Sequence, residues 1–155
     1  MMMSLCCDVL KALAGKTLVT AESCTGGGIG AALTAVPGSS KVYKGGIISY
    51  TNEVKSKQLG VSTDLLERAG AVSKEIAEAM AFGARETLSA DIAVSVTGLA
   101  GPDGDDRGNP VGTVFVGYSD SVNLCSKEFH FTGDRNTVRM QAVNAALELI
   151  LQMQS

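Results

Sequence analysis

The stretch that most limits what this chain can fold into is Lys16 to Val36, KTLVTAESCTGGGIGAALTAV. Thr17, Leu18, Val19 and Thr20 form an apolar, β-branched run that reads as a buried strand. Ile29, Leu33 and Val36 are spaced as one apolar stripe of a helix. Between them stand Glu22, Ser23, Cys24 and Thr25, then Gly26, Gly27, Gly28 and Gly30. Each glycine inside a helix costs about 1 kcal/mol relative to alanine, so packing alone rarely imposes such a cluster. What glycine permits is close approach of another group to the backbone, at a helix end whose free N–H groups and dipole favour an anion. A strand feeding such a turn is also where α/β proteins place their sites.

The rest of the chain repeats the alternation. A first helix is expected over Ser4–Ala14, ended by Gly15, and the helix after the glycine turn stops at Pro37-Gly38-Ser39-Ser40. Lys41–Tyr50 reads as a second strand, with Gly45-Gly46 suggesting a bulge or a close contact. Thr51 or Asn52 caps a short helix through Lys55–Leu59, Asp64–Ala69 is another, and Ser73 caps a longer one carrying Ile76, Met80, Ala84 and Leu88. Ile92–Thr97 is a third strand, followed by the loop Gly98–Pro110. Val111–Tyr118 and Asn123–Phe131 form a hairpin around Ser119-Asp120-Ser121, and Asp134 caps a last helix. The pattern predicts a three-layer α/β/α domain around a mixed, mainly parallel sheet.

A chain of 155 residues fits a single domain and can bury about 70% of its unfolded surface without a disulfide or metal staple. The net charge of −3, without a long run of either sign, gives no basis for capture of nucleic acid or an anionic membrane. No run reaches the roughly 18 apolar residues of a membrane span. Cys6, Cys7, Cys24 and Cys125 form no C-x-x-C, and free thiols in a reducing compartment are expected. The cytoplasm is therefore the expected location.

Ser23 either caps the helix or serves as a nucleophile; E-S-C-T-G-G is not the G-x-S-x-G elbow. A nucleophilic serine needs a base. The one histidine, His130, lies between Phe129 and Phe131 on a strand and makes a poor triad member. The alternative is a lysine kept neutral by burial or by a neighbouring cation. Lys55 falls in the first turn of a capped helix, where the dipole disfavours a cation and helps lower its pKa. A solvated surface lysine is the plain alternative, for Lys55 and Lys57 alike. Arg135 shows the same anomaly at the start of the last helix, with Arg139 one turn on, and either an anionic ligand or Asp134 would relieve it. Asp103, Asp105 and Asp106 do not fit the calcium-loop pattern, because Arg107 stands where a ligand is required. Cys24, beside a helix N-terminus but without an adjacent histidine, is the rival nucleophile.

Seven motifs occur in order: A-E-S-C-T-G-G (Ala21–Gly27), P-G-S-S (Pro37–Ser40), Y-T-N-E-V-K (Tyr50–Lys55), G-A-V-S (Gly70–Ser73), T-G-L-A-G-P-D-G (Thr97–Gly104), P-V-G-T-V (Pro110–Val114) and G-D-R (Gly133–Arg135). Together they resemble the C-terminal domain of the CinA competence/damage-inducible family, whose stand-alone members are nicotinamide mononucleotide deamidases. The resemblance implies an amidohydrolase releasing ammonia from that nucleotide, without a metal or other cofactor, and a homo-oligomer. It implies Ser23 as nucleophile, Lys55 as general base and Tyr50 as an orienting or relaying group. Thr25, Gly26, Gly27, Thr97, Gly98 and Arg135 would contact the substrate. Two positions depart from the family pattern: Asn109 replaces a common lysine, and Gly28 a bulkier residue. A nucleotide-binding module of the same fold without turnover is the competing reading.

Overall fold

A computed structural model of the chain describes residues 2–155. In chain order the elements are α1 (Met2–Ala12), β1 (Leu18–Glu22), α2 (Gly28–Thr34), a 3-10 turn (Ser39–Lys41), β2 (Tyr43–Ile48), α3 (Asn52–Leu59), α4 (Thr63–Ala69), α5 (Lys74–Thr87), β3 (Ile92–Gly98), β4 (Thr113–Ser119), β5 (Leu124–His130) and α6 (Arg135–Gln154). The strands form one sheet in the order β2-β1-β3-β4-β5. β1 pairs in parallel with both β2 and β3, whereas β4 runs antiparallel to β3 and β5. Four strands therefore point one way and only β4 is reversed, which is the mixed, mainly parallel sheet expected.

Period-two alternation along the strands divides the core between the two faces. Leu18, Val94, Val96, Val114 and Val116 pack with Val9, Ile29, Leu33, Val138 and Leu149 from α1, α2 and α6, and with Leu13 just past α1. Val19, Ala21 and Ala93 face the other way, against Leu59, Leu66, Ile76, Met80 and Ala84 from α3, α4 and α5. These are the two helical layers of a three-layer sandwich.

The helix starts follow the expected capping chemistry. Thr51 accepts from the Val54 N–H, Ser73 from that of Ile76 and Asp134 from that of Thr137, so each satisfies a donor the helix cannot. Ser62 caps α4 in the same way through Leu65 N–H, a cap the sequence reading did not use.

Strand ends differ from expectation. Ser39–Lys41 winds into a 3-10 turn, so β2 begins only at Tyr43, and β4 begins at Thr113 rather than Val111. The Gly45-Gly46 signal reflects both proposed causes. The register of β2 slips between Leu18 and Val19, and a Cβ on Gly46 would lie 2.3 Å from Thr20 Oγ1 and 2.7 Å from the Tyr43 hydroxyl. Among the described residues, no helix is long and apolar enough to cross a membrane.

The parallel strands β1, β2 and β3 release their carboxyl ends side by side, at Ser23, Ser49 and just past Gly98. That edge of the sheet, extended by the loop after β3 and the start of α6, carries the candidate site.

Candidate active site

Lys55 is the surprise of α3. It stands in a helix that is mostly polar, yet it is only 2% exposed and shares the inner face with Leu59 one turn on. Its Nζ lies 3.0 Å from Ser23 Oγ and 2.8 Å from the Ser49 carbonyl oxygen, to which it donates. Removal from water penalises the ammonium form and lowers the Lys55 pKa to about 8. A neutral amine has two N–H donors and one lone pair. With one N–H held by Ser49, its lone pair can receive the proton of the Ser23 hydroxyl. Ser23 is itself buried, and its N–H donates to the Val96 carbonyl, which fixes the residue at the exit of β1. Lys57 is the solvated lysine instead, exposed and paired with Glu53.

A cleft of about 270 Å³ opens over this pair, walled by Tyr50, Thr97, Gly98, Leu99, Gly101 and Arg135. Tyr50 is 59% exposed and its hydroxyl accepts from Arg135 Nη2 at 3.0 Å. The other Arg135 amine donates to the Gly101 carbonyl. Arg135 thus closes the cleft between β2 and the loop after β3, and its charge is met by dipoles rather than by Asp134. Thr97 is buried and donates to the Ala71 carbonyl at 2.7 Å, tying β3 to the segment before α5. Ser23, Lys55, Tyr50, Thr97, Gly98 and Arg135 therefore meet in one cleft.

Thr25, Gly26 and Gly27 do not line it. The turn they form needs left-handed backbone at Gly26 (φ 57°) and Gly27 (φ 101°), which explains the glycines there. The anion at the start of α2 is the chain's own. Glu22 is 2% exposed, and its carboxylate accepts from Ile29 N–H (2.8 Å), Gly30 N–H (3.0 Å), Thr25 Oγ1 (2.7 Å) and Thr20 Oγ1 (3.1 Å). An acidic residue directly before a glycine-rich helix start was the available signal, although the strand-end reading gave Glu22 no role. Arg139 spans back to the same turn and donates to the carbonyls of Cys24 and Thr25.

Cys24 is a poor nucleophile here, because burial raises its thiol pKa to about 11. His130 pairs with Glu128 on the exposed face of β5, away from the cleft. Asn109 contributes no wall to the cleft; its amide donates to Asp105 and to the Val72 carbonyl, bracing the loop. Arg107 braces the same loop by donating to the carbonyls of Glu67 and Arg68 at the end of α4. Gly28 faces Val143 of α6, where a Cβ would come within 3.1 Å of Cγ2. Among the described residues, no three His, Cys, Asp or Glu side chains converge as metal ligands.

Residues 3–154 match the family described as the CinA C-terminal domain. The chain belongs to that family. The CinA C-terminal domain relatives include a protein from Pseudomonas putida named nicotinamide-nucleotide amidohydrolase PncC, 48% identical over 88% of this chain and 85% of that one. A CinA-like protein of Geobacter metallireducens is 46% identical over 86% of this chain but only 32% of its own length. This CinA-type chain thus spans most of the former relative and about a third of the latter. Among solved structures, a CinA superfamily protein from Escherichia coli superposes with a TM-score of 0.96 at 38% identity, covering 99% of this chain and 90% of that one. The competence/damage inducible protein from Agrobacterium tumefaciens gives 0.95 at 37% identity, covering 99% and 96%.

Proposed function

We propose that the protein is an amidohydrolase that converts nicotinamide mononucleotide and water to nicotinate mononucleotide and ammonia, with Ser23 as nucleophile and Lys55 as general base. The observation that carries this reading is the 3.0 Å contact between Ser23 Oγ and a lysine stripped of water. The name of the Pseudomonas putida relative, nicotinamide-nucleotide amidohydrolase, suggests the substrate.

In the first half-reaction Ser23 Oγ bonds to the carboxamide carbon while its proton passes to Lys55 Nζ. The N–H of Cys24, which donates to no other described residue and follows the nucleophile directly in sequence, is the main-chain group proposed to hold the developing oxyanion. Lys55 then returns the proton to the leaving nitrogen, the C–N bond breaks and ammonia departs, leaving an ester on Ser23. Water, deprotonated by Lys55, attacks that ester and releases the carboxylate product. The role given to Tyr50 is to hold Arg135 at the cleft mouth, since its hydroxyl contacts Arg135 and neither Ser23 nor Lys55. Arg135, the guanidinium at the cleft mouth, is the proposed contact for the substrate phosphate.

Arg135→Ala should therefore raise KM by about 10- to 100-fold, the value of a hydrogen bond to a charged group, with kcat changed far less. Steady-state ammonia release against substrate concentration measures both. The reading as a whole is tested by incubating the protein with nicotinamide mononucleotide and assaying ammonia and nicotinate mononucleotide. Tight binding of the nucleotide with no ammonia would instead identify a binding module. Loss of activity on iodoacetamide treatment, together with full activity in Ser23→Ala, would transfer the nucleophile to Cys24.

A further inference from the structure

Glu22 is a buried carboxylate with no cationic partner among the described residues, and the chemistry proposed above makes no use of it. It lies next in sequence to Ser23, and all four of its contacts are donors: two main-chain N–H groups and two threonine hydroxyls. A carboxylate only accepts, so the site is complementary to it. Its position at the first turn of α2 offers stabilisation by the helix dipole in place of a counter-ion. Both ends of the nucleophile turn are held as a result. At one end Glu22 continues β1, and its carbonyl accepts from the N–H of Ser49, whose own carbonyl receives Lys55 Nζ. At the other its side chain grips Thr25, Ile29 and Gly30.

We infer that Glu22 is a positioning residue for the Ser23–Lys55 pair: its carboxylate ties the start of α2 to the end of β1 and so fixes the Ser23 hydroxyl against the lysine. The inference rests on the Ser23–Lys55 reading and concerns the geometry of the nucleophile, not contact with substrate. Thr25 belongs to the same device, because its hydroxyl is the turn's own link to the carboxylate.

The test is the rate at which a fluorophosphonate labels Ser23. In that reaction Ser23 Oγ bonds to phosphorus, fluoride leaves and Lys55 takes the proton, so no nucleotide is needed. In Glu22→Gln the amide NH2 must face either the Ile29 or the Gly30 N–H, whichever way it is turned. Glu22→Gln is expected to label about 100-fold more slowly, the loss that follows from displacing a reacting group by about 1 Å. Ammonia release should show the same fall in kcat, with KM within about threefold of wild type. Val9→Ala, a cavity in α1 remote from the cleft, controls for general loss of stability and should label at the wild-type rate. Where Glu22→Gln fails to fold, Thr25→Val provides the measurement, with labelling expected to slow by about tenfold, as for loss of one hydrogen bond. Labelling of the folded variant at the wild-type rate would overturn the inference. Absence of labelling in wild type that still releases ammonia would instead remove Ser23 as nucleophile, and the positioning role with it.

Discussion

Ser23→Ala is expected to abolish ammonia release from nicotinamide mononucleotide, lowering kcat by at least about 1,000-fold, because the reaction loses the atom that forms the covalent intermediate. Folding should be nearly untouched. The serine side chain is small, its one side-chain partner is Lys55, and its main-chain bond to Val96 survives the substitution. The variant should also bind the nucleotide about as well as wild type, since the phosphate contact is assigned to Arg135. A binding isotherm beside a single-turnover assay separates the two properties. Retention of most of the rate by Ser23→Ala would refute the catalytic assignment.

The second large effect falls on Lys55. Lys55→Met should lower kcat by about 1,000-fold, within the range for loss of a general base, and it should also make the protein more stable near neutrality. The sign follows from the titration. The pKa of Lys55 drops from the ordinary 10.5 to about 8 in the folded protein. Between those values the unfolded chain binds more protons, so stability rises with pH across that window. The penalty for burying the ammonium is fully present below about 8 and is relieved as the pH climbs toward 10.5. Methionine carries no such penalty, so Tm at pH 7 should increase by about 2–4 °C for each kcal/mol recovered, and the advantage should shrink above pH 9. Wild-type kcat/KM follows the same titration, rising with pH and levelling off above about 8. Calorimetry across pH and a pH–rate profile check these claims. A flat profile would mean that proton transfer to Lys55 does not limit the reaction.

What the sequence disclosed was mostly local. Caps at Thr51, Ser73 and Asp134 mark helix starts because their side chains reach donors only three residues ahead. Lys55 is legible as an anomaly, a cation in a first turn, but that it shares the buried face with Leu59 is seen only in the fold. What stayed hidden depends on contacts between distant segments. Tyr50 meets Arg135 across 85 residues, and Arg139 reaches Cys24 across 115. Neither pairing has a sequence period. The glycine turn is legible as a place for an anion, and Glu22 just before it is a signal, but that its carboxylate folds back onto the Ile29 and Gly30 N–H groups is seen only in the fold. That follows from the path of the chain between Glu22 and Gly30. Thr25, Gly26 and Gly27, expected as substrate contacts, shape the turn and lie outside the cleft lining, which comes from Tyr50, the end of β3 with the loop beyond it, and Arg135.

One feature of the sheet bears on how the molecule loses function. β2 has a hydrogen-bonded neighbour on one side only, and the amine of Lys55 is reached through the segment that leaves it. The hydroxyl of Ser23, by contrast, hangs from an interior strand. Fraying at that outer margin separates the two groups while the rest of the core stays intact. Catalytic competence is thus expected to vanish in a partial opening, at milder denaturing conditions than those that melt the whole domain.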